Sequence, residues 1–519
     1  MARRILWVDD EIHFFRAHIE FLQEKGYEVT PCTNGNDAIT FFQKQKFDLV
    51  LLDEMMIGID GIETLSRIRT ISFNTPVIMI TKNEDEKMMD IALSYNVRDF
   101  LTKPVNPSQI LSALKKIFES RDLKQQKSLA NLQQDFSRIR DLIRTASTAQ
   151  QWIQLYLELV KIDLLYDKGI GDDIYEIWNL LKEEANLEFA HFIQGNYDKL
   201  LLSPQDPFFS HQLLPKVVFP RLKNGERVYL LLLDCMRLDQ WLFMSQILEN
   251  SFNIETQYYY SILPTATPYA RNSIFSGKLP LILHQKYPKL IPWFGETETG
   301  KNDNEYDLML DLLQEHRIKL NYRPYFTKIL DAGWAEEVYK KMGNMKNLDL
   351  IVFVFNFLDI IIHNRTGNKL LQEIVLDESS FRDLARTWFE NSWIHRMLQH
   401  IAQDEKAVVI ITTDHGSIRC NKPTVIKGDS KISYALRFKI GNYLSINNKH
   451  GWVIMDPEKY YLPKEGILSN YAFANNSNYF AFSGNVGQFS QKYNNNFFHG
   501  GISMEEMILP YAVITPKTL

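Results

Sequence analysis

The sequence predicts an α/β protein of several domains. Short apolar runs alternate with amphipathic helical periodicity over residues 1–120, and helical periodicity alone covers 121–205. Buried-type strands, each ending at an acidic residue or histidine, return over 206–519. At 519 residues the chain exceeds one ordinary domain, and a hydrophobic content of 45% is ample for sizeable cores. A net charge of -5 gives no global pull toward nucleic acid or an anionic membrane. No run approaches a transmembrane helix, and the first apolar run ends at Asp9-Asp10, which is unlike a signal peptide. Cys32, Cys235 and Cys420 are far apart and form no CxxC, against a disulfide framework or a thiolate metal site. The expected location is the cytoplasm.

In residues 1–120 strands are predicted at Arg4 to Val8, Tyr27 to Cys32, Leu49 to Leu52, Val77 to Ile80 and Asp99 to Leu101. Amphipathic helices such as Asp37 to Gln45 and Gly61 to Arg69 run between them, the order of a doubly wound domain. Ligands bind at the carboxyl ends of such strands, so Asp9, Asp10, Asp53, Thr81 and Lys103 converge on one crevice. Three carboxylates there call for Mg²⁺, and lysine and threonine suit a phosphoryl group placed on one of them. This set resembles the CheY-like receiver domain of two-component response regulators, a flavodoxin-like doubly wound fold. The resemblance implies Asp53 as phospho-acceptor, Asp9 and Asp10 as Mg²⁺ carboxylates, Thr81 and Lys103 as phosphoryl contacts and Phe100 as an aromatic switch. Ile57 and Lys82 depart from the family's proline and small residue.

From 121 to 205 the 3.6-residue period places Leu129, Leu132, Phe136, Ile139 and Ile143 on one face, then Trp152, Leu155, Tyr156 and Leu159, then Ile174, Ile177, Trp178 and Leu181. Ser147 to Gln150 reads as a capping box, and Ser203-Pro204 to Pro207 with the Pro215 and Pro220 region as the exit linker. Ten Lys/Arg against thirteen Asp/Glu in this segment argue against a phosphate-reading surface and for a helical bundle connector.

In residues 206–519 Val228 to Leu233 leads to Asp234, Leu350 to Phe355 leads to Asp359, and Val408 to Thr413 leads to Asp414-His415. His363 stands four after Asp359, on the same face of a helical turn. His499 precedes Gly500-Gly501, where the backbone can approach a site closely. Asp234, Asp359, His363, Asp414, His415 and His499 make six N/O ligands without sulfur, enough for two zinc or manganese ions. Two ions roughly 4 Å apart suit phosphoryl transfer. Thr265 and Thr267, in a strand-to-helix turn, are the candidate nucleophiles. Arg271 and Asn272 follow about one turn later, placed to hold phosphate oxygens, with surface pairing of Arg271 as the alternative. His284, His316, His395, His400 and His450 match no motif.

Asp234, the Pro264 to Thr267 turn, Asp359 with His363, Asp414-His415-Gly416 and the stretch from His499 to Met507 resemble the PglZ-type branch of the alkaline phosphatase superfamily. That resemblance implies an alkaline-phosphatase-like α/β domain with Thr267 as nucleophile. One metal would be held by Asp359, His363 and His499, and another by Asp234, Asp414, His415 and Thr267. Receiver, connector and PglZ-type domain together resemble PorX-like response regulators of type IX secretion. This implies a sensor histidine kinase, a sigma factor or secretion-system component as partner, and a homodimer on phosphorylation. The expected activity is a phosphodiesterase or phosphatase under the control of Asp53, acting on nucleotide-type phosphoesters such as cyclic or linear oligonucleotides. The competing expectation is a non-catalytic signalling scaffold whose metal site is structural.

Overall fold

The computed structural model describes residues 2–517 except 73–74, 83–96, 167–171, 204–206, 292, 295–299, 431–434, 465, 467–468, 483 and 485. The chain is an α/β multidomain protein whose two compact units, Met1–Gln134 and Asp135–Leu519, each have their own core. Among the described residues no helix is long and apolar enough to cross a membrane.

The first unit is built on strands β1 (Arg3–Val8), β2 (Tyr27–Cys32), β3 (Leu49–Asp53), β4 (Val77–Thr81) and β5 (Asp99–Thr102), all parallel in the order β2-β1-β3-β4-β5. Alternate side chains enter different cores. Ile5, Trp7, Leu49, Leu51, Ile78 and Ile80 pack with Ile110 and Leu114, while Leu6, Val8, Val50, Leu52, Val77 and Met79 pack with Leu65 and Ile68. Both faces are therefore covered, which is why the central strands β3 and β4 read as near-continuous apolar runs. Asn34 and Asp60 cap the helices Gly35–Lys44 and Gly61–Ile71, accepting from Asp37 N and Glu63 N.

One helix, Pro107–Thr145, crosses the expected boundary at residue 120. The helices Ala149–Tyr166 and Asp172–Leu201 follow. The cap of the first uses Thr148 rather than Ser147: Gln151 Oε1 accepts from Thr148 N at 3.1 Å, and Gln151 N donates to Thr148 Oγ1 at 3.3 Å. Trp152, Leu155, Tyr156, Trp178 and Leu181 belong to the core that also holds the strands of the C-terminal domain, so among the described residues the connector shares that core. Ile177, expected on the packed face, is 46% exposed. Pro215 and Pro220 are not linker residues but stand in the first turns of the helical segments Leu214–Val218 and Phe219–Lys223, where a missing amide proton is tolerated. Of the proline-rich stretch before them, 204–206 lies outside the described residues.

His211, in the short turn Ser210–Gln212, has a buried Nδ1 without a hydrogen-bond partner. Burial, with Lys216 nearby, pushes its pKa down to about 4. The unfolded imidazole titrates near 6.5, so its contribution to stability is complete above that pH and is lost as pH falls toward 4. At pH 5 the loss is about 2 kcal/mol. Thermal unfolding at pH 7 and pH 5 is expected to show a smaller drop for His211→Asn than for wild type; equal drops would remove His211 as the cause.

The principal sheet of the second unit contains β6 (Arg227–Leu233), β7 (Phe252–Tyr260), β8 (Tyr325–Ile329), β9 (Leu350–Phe355) and β10 (Ala407–Thr412). A two-stranded pair joins β11 (Ile418–Cys420) to a later strand, and a five-stranded sheet contains β12 (Lys422–Ser430), β13 (Phe438–Ser445), β14 (Gly451–Ile454), β15 (Ser469–Ala474) and β16 (Asn478–Phe482). The later partner of β11 is β17 (Asn496–Phe498), and β18 (Ile508–Pro516) completes the principal sheet in the order β7-β18-β10-β6-β9-β8. Strands β10, β6, β9 and β8 are parallel, and β18 is antiparallel to both β10 and β7. Because β6 lies between β10 and β9, the turns carrying Asp234, Asp414-His415 and Asp359 leave neighbouring strand ends.

Candidate metal and phosphoester site

Each candidate ligand sits where a buried strand runs out. Asp234 follows β6 and is fully buried, as are Asp414 and His415 after β10. Asp359 and His363 lie on the helix Phe357–Arg365 that follows β9. His499 arrives from far along the chain, because Ile418 of β11 pairs with Phe498 of β17, three residues after His415 and one before His499. Two side-chain clusters result, Asp234-Asp414-His415 and Asp359-His363-His499, each with ligand atoms within 4.8 Å of one another. The rings of His415 and His499 stack at 4.2 Å, so the two clusters adjoin.

Hydrogen bonds at the back of each ring fix its tautomer. His415 Nδ1 donates to Gly416 O at 3.1 Å, which leaves Nε2 as the lone-pair nitrogen facing Thr267 Oγ1 at 3.0 Å. His499 Nδ1 donates to Thr265 O at 3.3 Å, and its Nε2 faces His363 Nε2 at 3.2 Å and Asp359 Oδ1 at 3.5 Å. A carbonyl behind the ring and a free nitrogen in front is how metal-binding histidines are oriented. The two threonines divide in the same way. Thr265 Oγ1 is occupied, donating to Gly501 O at 2.9 Å and accepting from Gly500 N at 3.0 Å. Thr267 Oγ1 instead lies against His415, with Asp234 Oδ1 at 3.5 Å.

Thr267 opens the helix Thr267–Ser276, with Pro268 in its first turn. Helix N-termini carry partial positive charge and unpaired amides, an environment that favours an anion.

The charge balance fits cations. Asp234, Asp359 and Asp414 are three closely spaced carboxylates, and Asp414 Oδ2 is buried without accepting a hydrogen bond. Burial together with Asp414 and Asp359 pushes the Asp234 carboxyl well above its ordinary range, against the pull of Arg271. Burial, with the neighbouring His415, holds His499 well below the imidazole range. A neutral imidazole and crowded carboxylates without sulfur are a donor set for zinc or manganese.

Arg271 and Asn272 do not hold themselves ready for phosphate. Arg271 Nε and Nη2 donate to Glu305 at 2.8 and 2.9 Å, and Nη1 donates to Asp234 Oδ2 at 2.6 Å. Asn272 Nδ2 donates to the carbonyls of Pro268 and Lys301. The arginine fork is spent on carboxylates because Glu305 reaches it from another helix, a contact no local spacing announces. Asn356 Nδ2 also donates to Asp234 Oδ2, at 3.1 Å. Glu305, which reaches the site through Arg271, has no part in the sequence reading. Asn356 carried one signal, its place directly after β9.

In the first unit Asp9, Asp10 and Asp53 form a third cluster. Lys103 Nζ lies 2.9 Å from both Asp9 and Asp53. Burial pushes the Asp53 carboxyl up to about 6, against the pull of Lys103 and with Asp9 adding to it. The Thr81 hydroxyl donates to Glu54, and Phe100 packs at the edge of the core that contains Val97. Ile57, whose amide donates to Asp10 Oδ2, is 83% exposed beside this pocket.

Residues 213–515 match the family described as the BREX system PglZ alkaline phosphatase-like domain. Residues 5–115 match the response regulator receiver domain, and 122–201 the PorX response regulator linker domain. The regulatory protein VanRc of Enterococcus gallinarum is 36% identical over 115 residues, 22% of this chain and 49% of that protein. The alkaline phosphatase synthesis transcriptional regulatory protein PhoP of Bacillus subtilis (strain 168) is 29% identical over 123 residues, 24% of this chain and 51% of that protein. The chain thus spans about half the length of the curated relatives it matches. Among solved structures, a CheY-like receiver domain protein from Methanospirillum hungatei JF-1 is 23% identical, covering 24% of this chain and 99% of that one at a TM-score of 0.23. Chemotaxis protein CheY4 of Vibrio cholerae is 28% identical, covering 22% of this chain and 98% of that one at a TM-score of 0.22.

Proposed function

The chain belongs to the PglZ alkaline phosphatase-like family, and from that premise we propose that it hydrolyses phosphoesters under the control of its receiver domain. One observation carries the reading: the hydroxyl of Thr267, at a helix N-terminus, lies against Asp234 and His415 of one ligand cluster, and the His415 ring stacks on His499 of the other. Asp234, Asp414, His415 and Thr267 would hold one divalent cation, and Asp359, His363 and His499 a second. Zinc is the proposed metal, with manganese as the alternative. When bound, such cations neutralise phosphoryl charge and ease deprotonation of the attacking hydroxyl. Thr267 Oγ forms a bond to phosphorus as the ester P–O bond breaks, and its proton ends on the departing alcohol. Water then cleaves the threonine-phosphorus ester, restoring the hydroxyl and releasing phosphate or a monoester. The helix N-terminus favours the anion throughout.

Control is proposed to start from a sensor histidine kinase that phosphorylates Asp53, with Asp9 and Asp10 holding Mg²⁺ and Lys103 pairing with the phosphoryl oxygens. Thr81 and Phe100 are the proposed switch residues. Type IX secretion as the regulated process, with a sigma factor or secretion component as partner, rests on the resemblance to PorX-like regulators. Nucleotide-type phosphoesters, including cyclic and linear oligonucleotides, are the proposed substrates.

The test is a panel of nucleotide mono- and diesters with metal analysis of the purified protein. Turnover is expected, and chelation of the metal should abolish it; hydrolysis that survives complete metal removal would sink the mechanism. In sedimentation a phosphoryl mimic should produce a dimer of wild type but not of Asp53→Ala. The same shift in both proteins, or in neither, would free assembly from Asp53. The commitment of Arg271 to Glu305 and Asp234 favours a second reading, a signalling scaffold with a structural metal. It predicts bound metal with no turnover anywhere on the panel.

A further inference from the structure

The Asp172–Leu201 helix sends two polar arms toward the ligand turns, one half-buried and one buried. Lys182 and Asn186 are four residues apart on it and so share one face. In the first arm, Lys182 Nζ lies 3.1 Å from Asp163 and 3.1 Å from Glu378. Glu378 Oε1 in turn lies 3.6 Å from Arg237 Nη1, which donates to Ser417 O at 3.3 Å. Arg237 is three residues beyond Asp234, and Ser417 two beyond His415. This arm therefore touches the turn after β6 and the turn after β10 together. Met236 N and Cys235 N bind the same turns to each other, donating to Thr413 Oγ1 at 3.0 Å and Asp414 Oδ1 at 3.3 Å.

In the second arm, Asn186 Nδ2 donates to both carboxylate oxygens of Glu505, at 3.1 and 3.0 Å, and its Oδ1 accepts from Met504 N at 2.8 Å. Met504 and Glu505 start the short helix Met504–Met507, which packs against Gly416 so closely that a Cβ there would stand 2.0 Å from Glu505 O. Gly416 N donates to Glu506 O at 3.2 Å, and Gly501 N donates to Glu506 Oε1 at 2.9 Å. The second arm thus holds the turn after His415 and the turn after His499. Asn186 and Glu505 are buried, so neither exchanges these bonds for water without opening the interface.

We propose that Asn186 and Lys182 are positioning residues for the phosphoester site, and that their helix braces both ligand clusters from behind. This rests on the reading of those clusters as metal sites. Displacing this helix would loosen the Asp414-His415 and His499 turns together, which makes the connector a route by which events elsewhere in the chain change metal affinity and turnover.

The test uses the full chain, with zinc affinity read by competition against a chromophoric chelator and kcat and KM read on a nucleotide diester. Asn186→Asp sets two carboxylates face to face, and zinc affinity is expected to fall about tenfold, as for lost support behind a ligand. The value of kcat should fall with it while KM holds. Adding Glu505→Gln restores a donor-acceptor pair of reversed polarity and should recover both readouts. Lys422→Ala, which removes only the exposed pair with Glu183 on the same helix, should leave both unchanged. Should Asn186→Asp not fold, Asn186→Ala decides on the same measurements. Wild-type zinc affinity in a folded Asn186 variant, or no recovery on adding Glu505→Gln, would overturn the proposal. If wild type hydrolyses nothing on the panel, the phosphoesterase reading falls, and the zinc titration still decides the brace.

Discussion

Thr267→Ala is expected to reduce phosphoester hydrolysis by about 10³-fold or more, with zinc content unchanged, because removing a nucleophile eliminates the covalent route. Metal retention follows from the geometry. Asp234, Asp414 and His415 remain as three donors of their cluster, and Asp359, His363 and His499 do not include the threonine. Thr267→Ser is the informative companion. It keeps a hydroxyl at the first residue of the helix but loses the β-branch that restricts its rotamer, so partial activity is expected. Thr265→Ser should retain activity, since its hydroxyl ties the Gly500-Gly501 turn and a serine hydroxyl can replace it. Hydrolysis by Thr267→Ala at the wild-type rate would instead point to direct attack by water, with Thr267 no more than a neighbour.

The parts of this site legible in sequence are those that end a buried parallel strand. Leu350–Phe355 and Ala407–Thr412 are uninterrupted apolar or β-branched runs because both faces of their sheet are covered, so the polar residues after them stand out. The same logic exposed Asp9, Asp53 and Thr81. Contacts set by long-range pairing were not legible. The register of β11 against β17 is what delivers His499, and neither three-residue strand announces itself. The sheet of β12 to β16 lacks a clear alternation, since β15 is buried at every position and β13 contains Gly441 and Asn442. Local spacing was also incomplete at Arg271. It placed the side chain correctly, one turn after Thr267, but could not show Glu305 arriving 34 residues later to occupy the guanidinium. The linker prolines failed for a related reason: Pro215 and Pro220 read as breakers, whereas the first turn of a helix accepts them.

Arg271→Met is expected to destabilise the metal-free protein by roughly 3–5 kcal/mol, the range for breaking a buried ion pair from one side. Arg271 is 2% exposed, and its guanidinium is shared between Glu305 and Asp234, both fully buried. Burial alone would raise the Glu305 carboxyl, but Arg271 and then Lys328 hold it below the ordinary range. After the substitution Lys328, 3.0 Å from Glu305 Oε2, remains as a cationic partner of that carboxylate, and among the described residues Asp234 keeps the Asn356 amide and the neighbouring His415 and Thr267. Bound zinc would balance Asp234 in place of the arginine, so the loss in unfolding midpoint should be larger after chelation than in the loaded protein. Glu305→Gln added to Arg271→Met should recover part of the stability, because a neutral amide costs less to bury than an unpaired carboxylate. A phosphate-binding arginine gives the opposite pattern: stability preserved, KM raised, and no benefit from Glu305→Gln. Denaturation with and without chelator, set beside KM for one diester, separates the two roles. If stability in the chelated state is unchanged by Arg271→Met, the arginine does not support Asp234.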